Sequence, residues 1–284
     1  MKPIRLENDL MVTKDDLIIV NKGQIQTNNH EQAAPHGRLF EILGRENGHR
    51  IVREIACNTV VVGGAITALE NLTGVTANWK PSTIAAAHNV AEATPVAGVY
   101  PTISLFGIGT GGANLDFGSI VAPDIKQRDV IQPIPLRYGA ETTGDDAAKY
   151  FMKVPTSTED VYAWYLKEFT SSPIIKTCWQ NAASEDEDGT EIVTDIYDST
   201  SSVGIESFTE IEINMTIYDG REYFETMGLT SSARFNTIGF YTGVKNQEGT
   251  EYANVRLYSV ITFNNRDLSI KSKSSYLYRV YSLL

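Results

Sequence analysis

The sequence predicts a mainly β protein of the α+β class, an antiparallel β-sandwich or barrel-like sheet with a few helices and an extended N-terminal arm. Apolar and polar side chains alternate through the C-terminal part of the chain, which is the pattern of half-buried strands. After residue 100, short β-type runs are separated by Gly, Pro, Asn and Asp, as in antiparallel sheets. Hydrophobic residues make up 42% of the 284 residues, which is enough for a substantial core.

Residues 1–35 are interpreted as the N-terminal arm. This segment has one short apolar run, Leu17 to Val20, followed by a polar, amide-rich stretch. Because such a segment buries little surface by itself, we expect it to contribute one strand and to gain order by lying on another surface. The rest of the chain, residues 36–284, is predicted to form a single β-rich domain.

Two helices are predicted at the start of this domain, near residues 38–43 and 48–72. In the longer segment apolar residues recur at helical spacing, and Gly74 lies where a helix would stop. Gly63 and Gly64 interrupt the pattern at a cost of about 2 kcal/mol relative to alanine. We therefore expect the chain to pack closely against another element at these glycines.

A third helix is predicted over residues 158–169. Ser157 and Asp160 have the spacing of a capping box. The apolar side chains that follow, from Val161 to Phe169, form a stripe at helical spacing. This helix and the earlier β runs would supply the second layer that a sheet needs in order to bury one face.

The C-terminal strands are predicted to form an antiparallel meander. In "EIEINMTIYDG" Ile211, Ile213, Met215 and Ile217 alternate with polar residues, and Asp219-Gly220 supplies a turn. The run "YANVRLYSVITF" alternates in the same way. The turns "KNQEGT" and "NNRD" separate it from the preceding "NTIGFYTGV" and the following "LSIKSKSSYLYRVYSL".

The glycine-rich stretch "SLFGIGTGGANLDFG", residues 104–118, has the letters of a dinucleotide-binding turn in Gly107, Gly109 and Gly112. Such a turn needs a helix that opens on the third glycine, but the following segment is punctuated by proline and has no helical period. We therefore interpret the stretch as a surface loop in which glycines allow positive φ and close backbone approach.

Charge and cysteine content narrow the function classes. The formal net charge of −11 repels phosphates, which argues against a general DNA binder but suits a passage through which DNA slides. Cys57 and Cys178 lie in apolar runs and are predicted to be buried thiols. We expect a soluble protein made in the cytoplasm and not inserted in a membrane, because the sequence shows no export signal and no apolar run of about 18 residues.

No motif predicts catalysis or ligand binding, so no catalytic, cofactor or metal residue is assigned and we do not expect an enzyme. The stretch "SEDEDGTE", from Ser184, matches an EF-hand loop only in part and is interpreted as a solvated hairpin tip. Glu210 and Glu212 share one face of a strand, which we interpret as a solvated face. The histidines lack the spacing of a zinc site. They are His30, His36, His49 and His88.

The C-terminal strand leaves two interpretations open. The run "LSIKSKSSYLYRVYSL" places lysines, an arginine and tyrosines on an otherwise acidic molecule. One interpretation is a basic edge strand that guards against aggregation. The other is a cationic, tyrosine-rich face that docks an acidic surface of a neighbouring copy.

The segment "FGIGTGGANLDFGSIVAPDIKQRDVIQPIPLRY", Phe106 to Tyr138, resembles part of the neck or head-completion proteins of contractile-tailed bacteriophages. In those proteins a glycine-rich loop leads through a proline-punctuated connection to a strand start of the form P-x-R. Pro133, Pro135 and Arg137 occupy the corresponding positions here. The resemblance is confined to this segment.

The resemblance implies a virion structural protein, made in the host cytoplasm, that forms part of the head-tail connector. It would assemble into a homo-oligomeric ring, six-fold or twelve-fold to match portals and tails, and contact the portal or adaptor and the tail terminator. DNA would pass through the lumen without specific binding. Contacts between copies are assigned to the arm, the glycine stretch and the C-terminal strand. These residues are Leu17, Ile18, Ile19, Gly107, Gly109, Gly111, Gly112, Lys271, Lys273, Tyr276, Tyr278 and Arg279.

Two alternatives stay open at this point. One is another virion component, such as a tail-tube, baseplate or capsid-decorating protein, which predicts the same oligomeric behaviour with different neighbours. The other is a carbohydrate-binding β-sandwich whose tyrosines and acidic residues line a groove. Oligomeric state separates them, because a stable monomer would speak against a ring component.

Overall fold

The computed structural model describes residues 10–12, 17–21, 36–46, 49–77, 83–84, 99–114, 119–141, 149–179, 205–268 and 274–282. Contacts group the chain into two compact units. Unit 1 comprises residues 1–57, 170–214 and 274–284, and unit 2 comprises residues 58–169 and 215–273. The boundaries between the units fall inside the range 36–284 that the sequence analysis treats as one domain.

Strands dominate both units, with two α-helices and one short 3₁₀ helix, Thr230–Ser232, among the described residues. The mainly β, α+β class with antiparallel sheets that the sequence predicts is confirmed. The strands are β1 (Leu10–Val12), β2 (Leu17–Asn21), β3 (His36–Glu46), β4 (His49–Cys57), β5 (Thr59–Val60), β6 (Thr102–Gly109), β7 (Pro133–Ile134), β8 (Arg137–Gly139), β9 (Tyr150–Pro155), β10 (Tyr162–Glu168), β11 (Ile174–Trp179), β12 (Ile205–Met215), β13 (Arg234–Lys245), β14 (Tyr252–Asp267) and β15 (Ser274–Ser282). The helices are α1 (Val62–Thr73) and α2 (Arg221–Thr226).

Unit 1 is built on a seven-stranded sheet in the order β1-β2-β4-β3-β15-β12-β11. Strand β2 joins β4 in parallel, whereas β15 pairs antiparallel with β3 and β11 pairs antiparallel with β12. Phe40, Val52 and Leu277 form a buried apolar cluster on this sheet, with Ile42 packed against it. Adjacent strands of the sheet therefore come from distant parts of the chain.

Unit 2 is built on an eight-stranded sheet whose main path is β5-β14-β13-β6-β10-β8, with β7 paired to β6 and β9 to β10. Strands β13 and β14 are long and almost wholly buried. They provide much of the core. Its buried members are Val61, Ile84, Leu105, Val130, Phe151, Met152, Val154, Leu166, Tyr241, Tyr252, Val255, Leu257 and Val260.

The prediction of helices at residues 38–43 and 48–72 is wrong for most of these residues. Residues 38–43 lie in β3, and the first part of the second segment forms β4. Short apolar runs rich in β-branched residues fit both a helical and a strand period. Here each strand is hydrogen-bonded along both edges, β3 to β4 and β15, and β4 to β3 and β2, and this pairing decides the outcome.

Only the last part of the predicted long helix is helical. It forms α1, and Gly74 caps it in the left-handed conformation with φ of 70°. The predicted helix end at Gly74 is confirmed. A glycine suits this position because a left-handed backbone costs it no steric clash.

The helix predicted over residues 158–169 is wrong as well. Residues 162–168 form β10, which pairs with β9 along its length and with β8 and β6. Asp160, the proposed capping-box partner of Ser157, has φ of 56°. A residue in the left-handed region cannot sit in the first turn of an α-helix, so the chain turns at this point and enters the sheet.

The predicted meander is confirmed in its first half only. Strands β13 and β14 pair as an antiparallel hairpin, and "KNQEGT" lies at its turn, where Gly249 has φ of 72°. The stretch "NNRD" is not a turn, because β14 continues through it to Asp267. Strand β15 then pairs with β3 in the sheet of unit 1 rather than with β14.

Strand β12 shows the predicted alternation. Ile211, Ile213 and Met215 are buried. Asp219 and Gly220 form a turn, as predicted, with Gly220 at φ of 74°. The turn leads into the short helix α2 rather than into a paired strand.

Candidate interaction surface

Helix α1 places its polar side toward the protein and its apolar side outward. Its buried residues are Gly63, Gly64, Thr67 and Glu70. Leu69 and Leu72, in contrast, are 59% and 82% exposed. The helix is therefore amphipathic in the opposite sense to an ordinary surface helix, whose apolar stripe faces the core.

Close packing against β14 explains the small residues on the inner side. The backbone N–H of Val61 donates to the carbonyl oxygen of Tyr258 at 3.1 Å. A Cβ atom on Gly64 would lie 2.1 Å from the same oxygen, so the approach requires glycine. The close packing expected at Gly63 and Gly64 is thus confirmed at Gly64.

A buried ion pair explains the acidic residue on the inner side. Glu70 Oε2 accepts a hydrogen bond from Arg256 Nη1 of β14 at 2.7 Å, and both side chains are buried. The second carboxylate oxygen accepts the N–H of Ala77 at 2.7 Å. Because these contacts fix Glu70 inward, the neighbouring Leu69 is left on the outer side of the helix.

The outward apolar side chains continue beyond the helix. Val75, just after α1, is 66% exposed, and Val99 and Tyr100 are also exposed. The chain runs beside the helix end there, since Asn71 donates its side-chain amide to the carbonyl oxygen of Pro101 at 3.0 Å. Contiguous exposed apolar groups mark interaction sites in soluble proteins. We call this set the α1 patch; it consists of Leu69, Leu72, Val75, Val99 and Tyr100.

A second feature, inside unit 2, is a buried lysine–carboxylate cluster. Lys167 of β10 places Nζ 2.5 Å from Oδ2 of Asp219, and the two side chains are 2% and 0% exposed. Tyr150 of β9 donates its phenol hydrogen to Oδ1 of the same carboxylate at 2.6 Å. The N–H of Thr216 donates to Oδ2 at 2.6 Å. Burial, and then the charge and hydrogen bond of Asp219, raise the pKa of Tyr150 well above its ordinary value.

Asp129 organises a third cluster, which also lies in unit 2. Its Oδ2 accepts the backbone N–H groups of Thr83 at 2.5 Å and Ile84 at 3.2 Å. Tyr241 donates to Oδ1 at 3.2 Å and accepts the N–H of Val130 at 3.1 Å. Burial, followed by the charge of Asp129, raises the pKa of Tyr241. The cluster thus ties residues 83–84 to the core strand β13.

A fourth cluster lies in unit 1. The guanidinium of Arg279 sits between the rings of Phe40 and Phe208, 5.3 Å and 5.0 Å from their centroids. Its Nε donates to Oε2 of Glu210 at 3.0 Å, and Arg50 Nη2 donates to Oε1 at 2.6 Å. The carboxylate therefore balances two arginines in a mostly apolar setting.

This cluster corrects the sequence interpretation of Glu210 and Glu212 as a solvated pair. The two residues do share one side of β12, since Arg50 reaches both, at 2.6 Å and 3.9 Å. Glu210, however, is buried. Ion pairing with arginines from other strands stabilises its charge away from water.

The predicted glycine loop is largely strand and interior. Gly107 and Gly109 lie in β6 and are buried. A Cβ atom on Gly109 would lie 2.3 Å from the carbonyl oxygen of Ile131, and one on Gly112 would lie 2.3 Å from that of Asn236. Close backbone approach is therefore confirmed. The interpretation as a surface loop with positive φ is wrong for residues 104–114, because the described glycines with positive φ lie elsewhere, whereas Gly118 lies outside the described residues. The described glycines with positive φ are Gly74, Gly139, Gly220, Gly228 and Gly249.

Several residues assigned to contacts between copies are interior. Tyr276, Tyr278 and Arg279 are buried, and β15 runs between β3 and β12 instead of along an edge of the sheet. Both interpretations of the C-terminal strand are therefore wrong for these side chains. Gly107, Gly109 and Gly112 are buried too. Because the three glycines and these three C-terminal residues pack inside the chain, they do not form an outer docking surface.

For the other residues, the assignment to contacts between copies stays a prediction. Leu17, Ile18 and Ile19 lie in β2, where they pair with residues 51–53 of β4. Gly111 is partly buried, and a Cβ atom there would lie 2.2 Å from Cγ2 of Ile131. Lys271 and Lys273 lie outside the described residues.

The remaining sequence predictions concern cysteines, histidines, the acidic stretch, metal sites and membrane helices. Cys57 is exposed, so its assignment as a buried thiol is wrong. His30, His88, the side chain of Cys178 and the acidic stretch from Ser184 lie outside what the structure describes. Among the described residues, no group of three or more His, Cys, Asp or Glu is placed to hold a metal ion. No helix in the described part of the chain has the length and apolar character to cross a membrane.

Sequence reasoning missed the α1 patch and the Lys167–Asp219 pair. The helical spacing of Leu69 and Leu72 predicts an inward stripe, although the two glycines and the glutamate on the opposite side indicate an inner face of small and polar residues. Lys167 stands inside the apolar run "YAWYLKEF", and a lysine in such a run is the available signal for a buried ion pair.

Comparisons with known proteins identify no relative: no family model, no curated protein and no solved structure matches this chain.

Proposed function

We propose that this protein is a structural subunit of the neck of a contractile-tailed bacteriophage. Copies of it assemble into a ring between the capsid portal and the tail, around the channel through which DNA passes. The α1 patch is the surface that drives association between copies or with the adjoining ring. No enzymatic turnover of a substrate is assigned to the subunit.

The α1 patch is the observation that carries this proposal. Exposed apolar surface gains about 25 cal/mol for each Å² removed from water, so burying two leucines, a valine pair and a tyrosine favours association. The patch cannot be buried by turning the helix, because Gly64 and Glu70 fix the inner side against β14. A fixed apolar face suits a subunit whose neighbours cover it.

The charges of the molecule are compatible with this role. Among the described residues, three buried ion pairs lie inside the protomer, Lys167 with Asp219, Arg256 with Glu70 and Arg279 with Glu210. The net charge of −11 keeps the walls of a DNA channel from adhering to phosphate. The segment that resembles neck proteins, Phe106 to Tyr138, runs from β6 through β7 into β8 of unit 2.

Light scattering coupled to size-exclusion chromatography tests the assembly. The wild-type chain should form a discrete oligomer whose population grows with protein concentration. Leu72→Glu should shift the population toward monomer, because a charge would have to be buried in the interface. Leu229→Glu is the matched control, since Leu229 is exposed in unit 2 but lies outside the α1 patch.

Two outcomes would contradict the assembly proposal. One is a wild-type monomer at every concentration, and the other is equal association of the Leu72→Glu and wild-type chains. The position in the neck is tested separately by antibody labelling of particles viewed by electron microscopy. Label at the head-tail junction is expected, whereas label along the tail, on the baseplate or over the capsid would assign the protein to another virion component.

A further inference from the structure

We infer that Lys167 and Asp219 become joined by an intramolecular isopeptide bond, which gives unit 2 a covalent cross-link between β10 and the turn before α2. This inference concerns chemistry inside one protomer. It is independent of the ring proposed for the assembled protein.

The two reacting groups are held in contact. Nζ of Lys167 lies 2.5 Å from Oδ2 of Asp219, and the side chains are 2% and 0% exposed. Fixing an amine and a carboxyl group in this way converts a bimolecular amide formation into an intramolecular one, which greatly raises its rate.

The site keeps water away from the reacting groups. The side chains of Lys167 and Asp219 are 2% and 0% exposed. Removing two charges from water costs free energy, which their ion pair must offset. In the proposed step one proton passes from Nζ to the carboxylate, which gives a neutral amine and a neutral acid, the species that form an amide.

Neighbouring donors can stabilise the transition state. The phenol of Tyr150 donates to Oδ1 at 2.6 Å, and Oδ1 is the oxygen that gains negative charge when Nζ attacks Cγ. The raised pKa of Tyr150 keeps this donor protonated at neutral pH. The N–H of Thr216 donates to Oδ2 at 2.6 Å and holds the carboxyl group in place.

The step balances without a co-reactant. The lone pair of Nζ forms the bond to Cγ, and the bond between Cγ and Oδ2 breaks. Oδ2 leaves as water with two protons, one from the carboxyl group and one from Nζ. The product is a secondary amide that keeps one N–H, and nothing is oxidised or reduced.

The mass of the purified full-length chain under denaturing conditions tests the inference. The expected mass is that of the sequence less one water molecule. Proteolysis should release a branched peptide that contains both Lys167 and Asp219. Lys167→Arg keeps the positive charge but removes the primary amine, and its mass should equal that of its own sequence.

Two further variants complete the design. Lys153→Arg is the matched control, because Lys153 pairs with Glu141 at the surface; it should retain the loss of one water molecule. Tyr150→Phe should slow the appearance of the lighter species after synthesis, because the donor to Oδ1 is gone.

The inference is overturned if the wild-type chain has the full mass of its sequence and yields separate peptides for the two residues, since the pair is then an ion pair only. A loss of water that persists in Lys167→Arg would overturn it as well. The mass and peptides of the wild-type chain alone can overturn the inference. The test therefore does not depend on whether a variant folds. Neither readout depends on oligomeric state.

Discussion

Arg256 of β14 and Glu70 of α1 form an ion pair whose nitrogen and oxygen lie 2.7 Å apart, although both side chains are almost fully buried. The pair connects the first helix to one of the two longest buried strands of unit 2. It also fixes which side of α1 faces outward. Removing one partner would leave the other charge buried without compensation.

Glu70→Ala is therefore expected to lower the free energy of unfolding by about 3–5 kcal/mol. The measurement is chemical denaturation followed by tryptophan fluorescence. Glu225→Ala, which removes an exposed i,i+4 partner of Arg221, is the control and should cost about 0.5 kcal/mol or less. Similar losses of unfolding free energy in the two variants would contradict a larger contribution from the buried pair.

Gly64→Ala is expected to destabilise unit 2 by about 1–3 kcal/mol, because the added methyl group would overlap the backbone of Tyr258. Main-chain atoms of a central strand cannot move aside as a flexible side chain can. Gly44→Ala is the control, since a Cβ atom there meets nothing within 4 Å. Thermal unfolding of the two variants measures the difference, and equal melting temperatures would refute the steric argument.

Arg279→Lys is expected to destabilise unit 1 by about 1–3 kcal/mol although it preserves the charge. A planar guanidinium can stack between the rings of Phe40 and Phe208 while it donates to Glu210, whereas an ammonium cannot do both. Arg221→Lys, at an exposed ion pair of α2, should change the unfolding free energy by about 0.5 kcal/mol at most. Denaturant titration distinguishes the two, and a neutral Arg279→Lys would contradict the stacking role.

Alkaline pH should destabilise the protein through Tyr252. Burial, and then the hydrogen bond and charge of Glu168, raise the pKa of this phenol in the folded chain. Above about pH 10 the unfolded chain loses the phenol proton while the folded chain retains it, so stability falls as pH rises. The full contribution is present below the unfolded pKa.

Tyr252→Phe should therefore flatten the fall in stability above about pH 10, by up to about 1.4 kcal/mol per pH unit. At neutral pH the same change should cost about 1 kcal/mol, because the hydrogen bond of 2.7 Å to Glu168 is lost. Melting temperatures across this pH range provide the measurement. Tyr218→Phe, at an exposed tyrosine, is the control for removal of a phenol hydroxyl group. An identical slope in Tyr252→Phe and wild type would contradict the assignment.

Local signals predict the features of this fold that depend on local backbone chemistry. Gly74 ends a helix because a left-handed residue is needed there, and Gly64 marks a close approach because a side chain would not fit. The alternation of Ile211, Ile213 and Met215 identifies a strand whichever partner it pairs with. These features need only the residue and its nearest neighbours.

The features that sequence reasoning misses depend on partners distant in the chain. Residues 38–57 and 162–168 have apolar spacings that suit a helix or a strand, and hydrogen bonding along both edges selects the strand. Lys167 and Asp219 are 52 positions apart and meet only when β10 is in place. The burial of Tyr276 and Tyr278 depends likewise on insertion of β15 beside β3.

The position of β15 bears on the order of events during synthesis. The strand fills a place between β3, made early, and β12, made much later. Residues 274–282 must therefore be synthesised before the hydrogen bonds along that edge of β3 can form, so a nascent chain that has not reached β15 holds this edge open. A chain that stalls before this point would expose an unprotected strand.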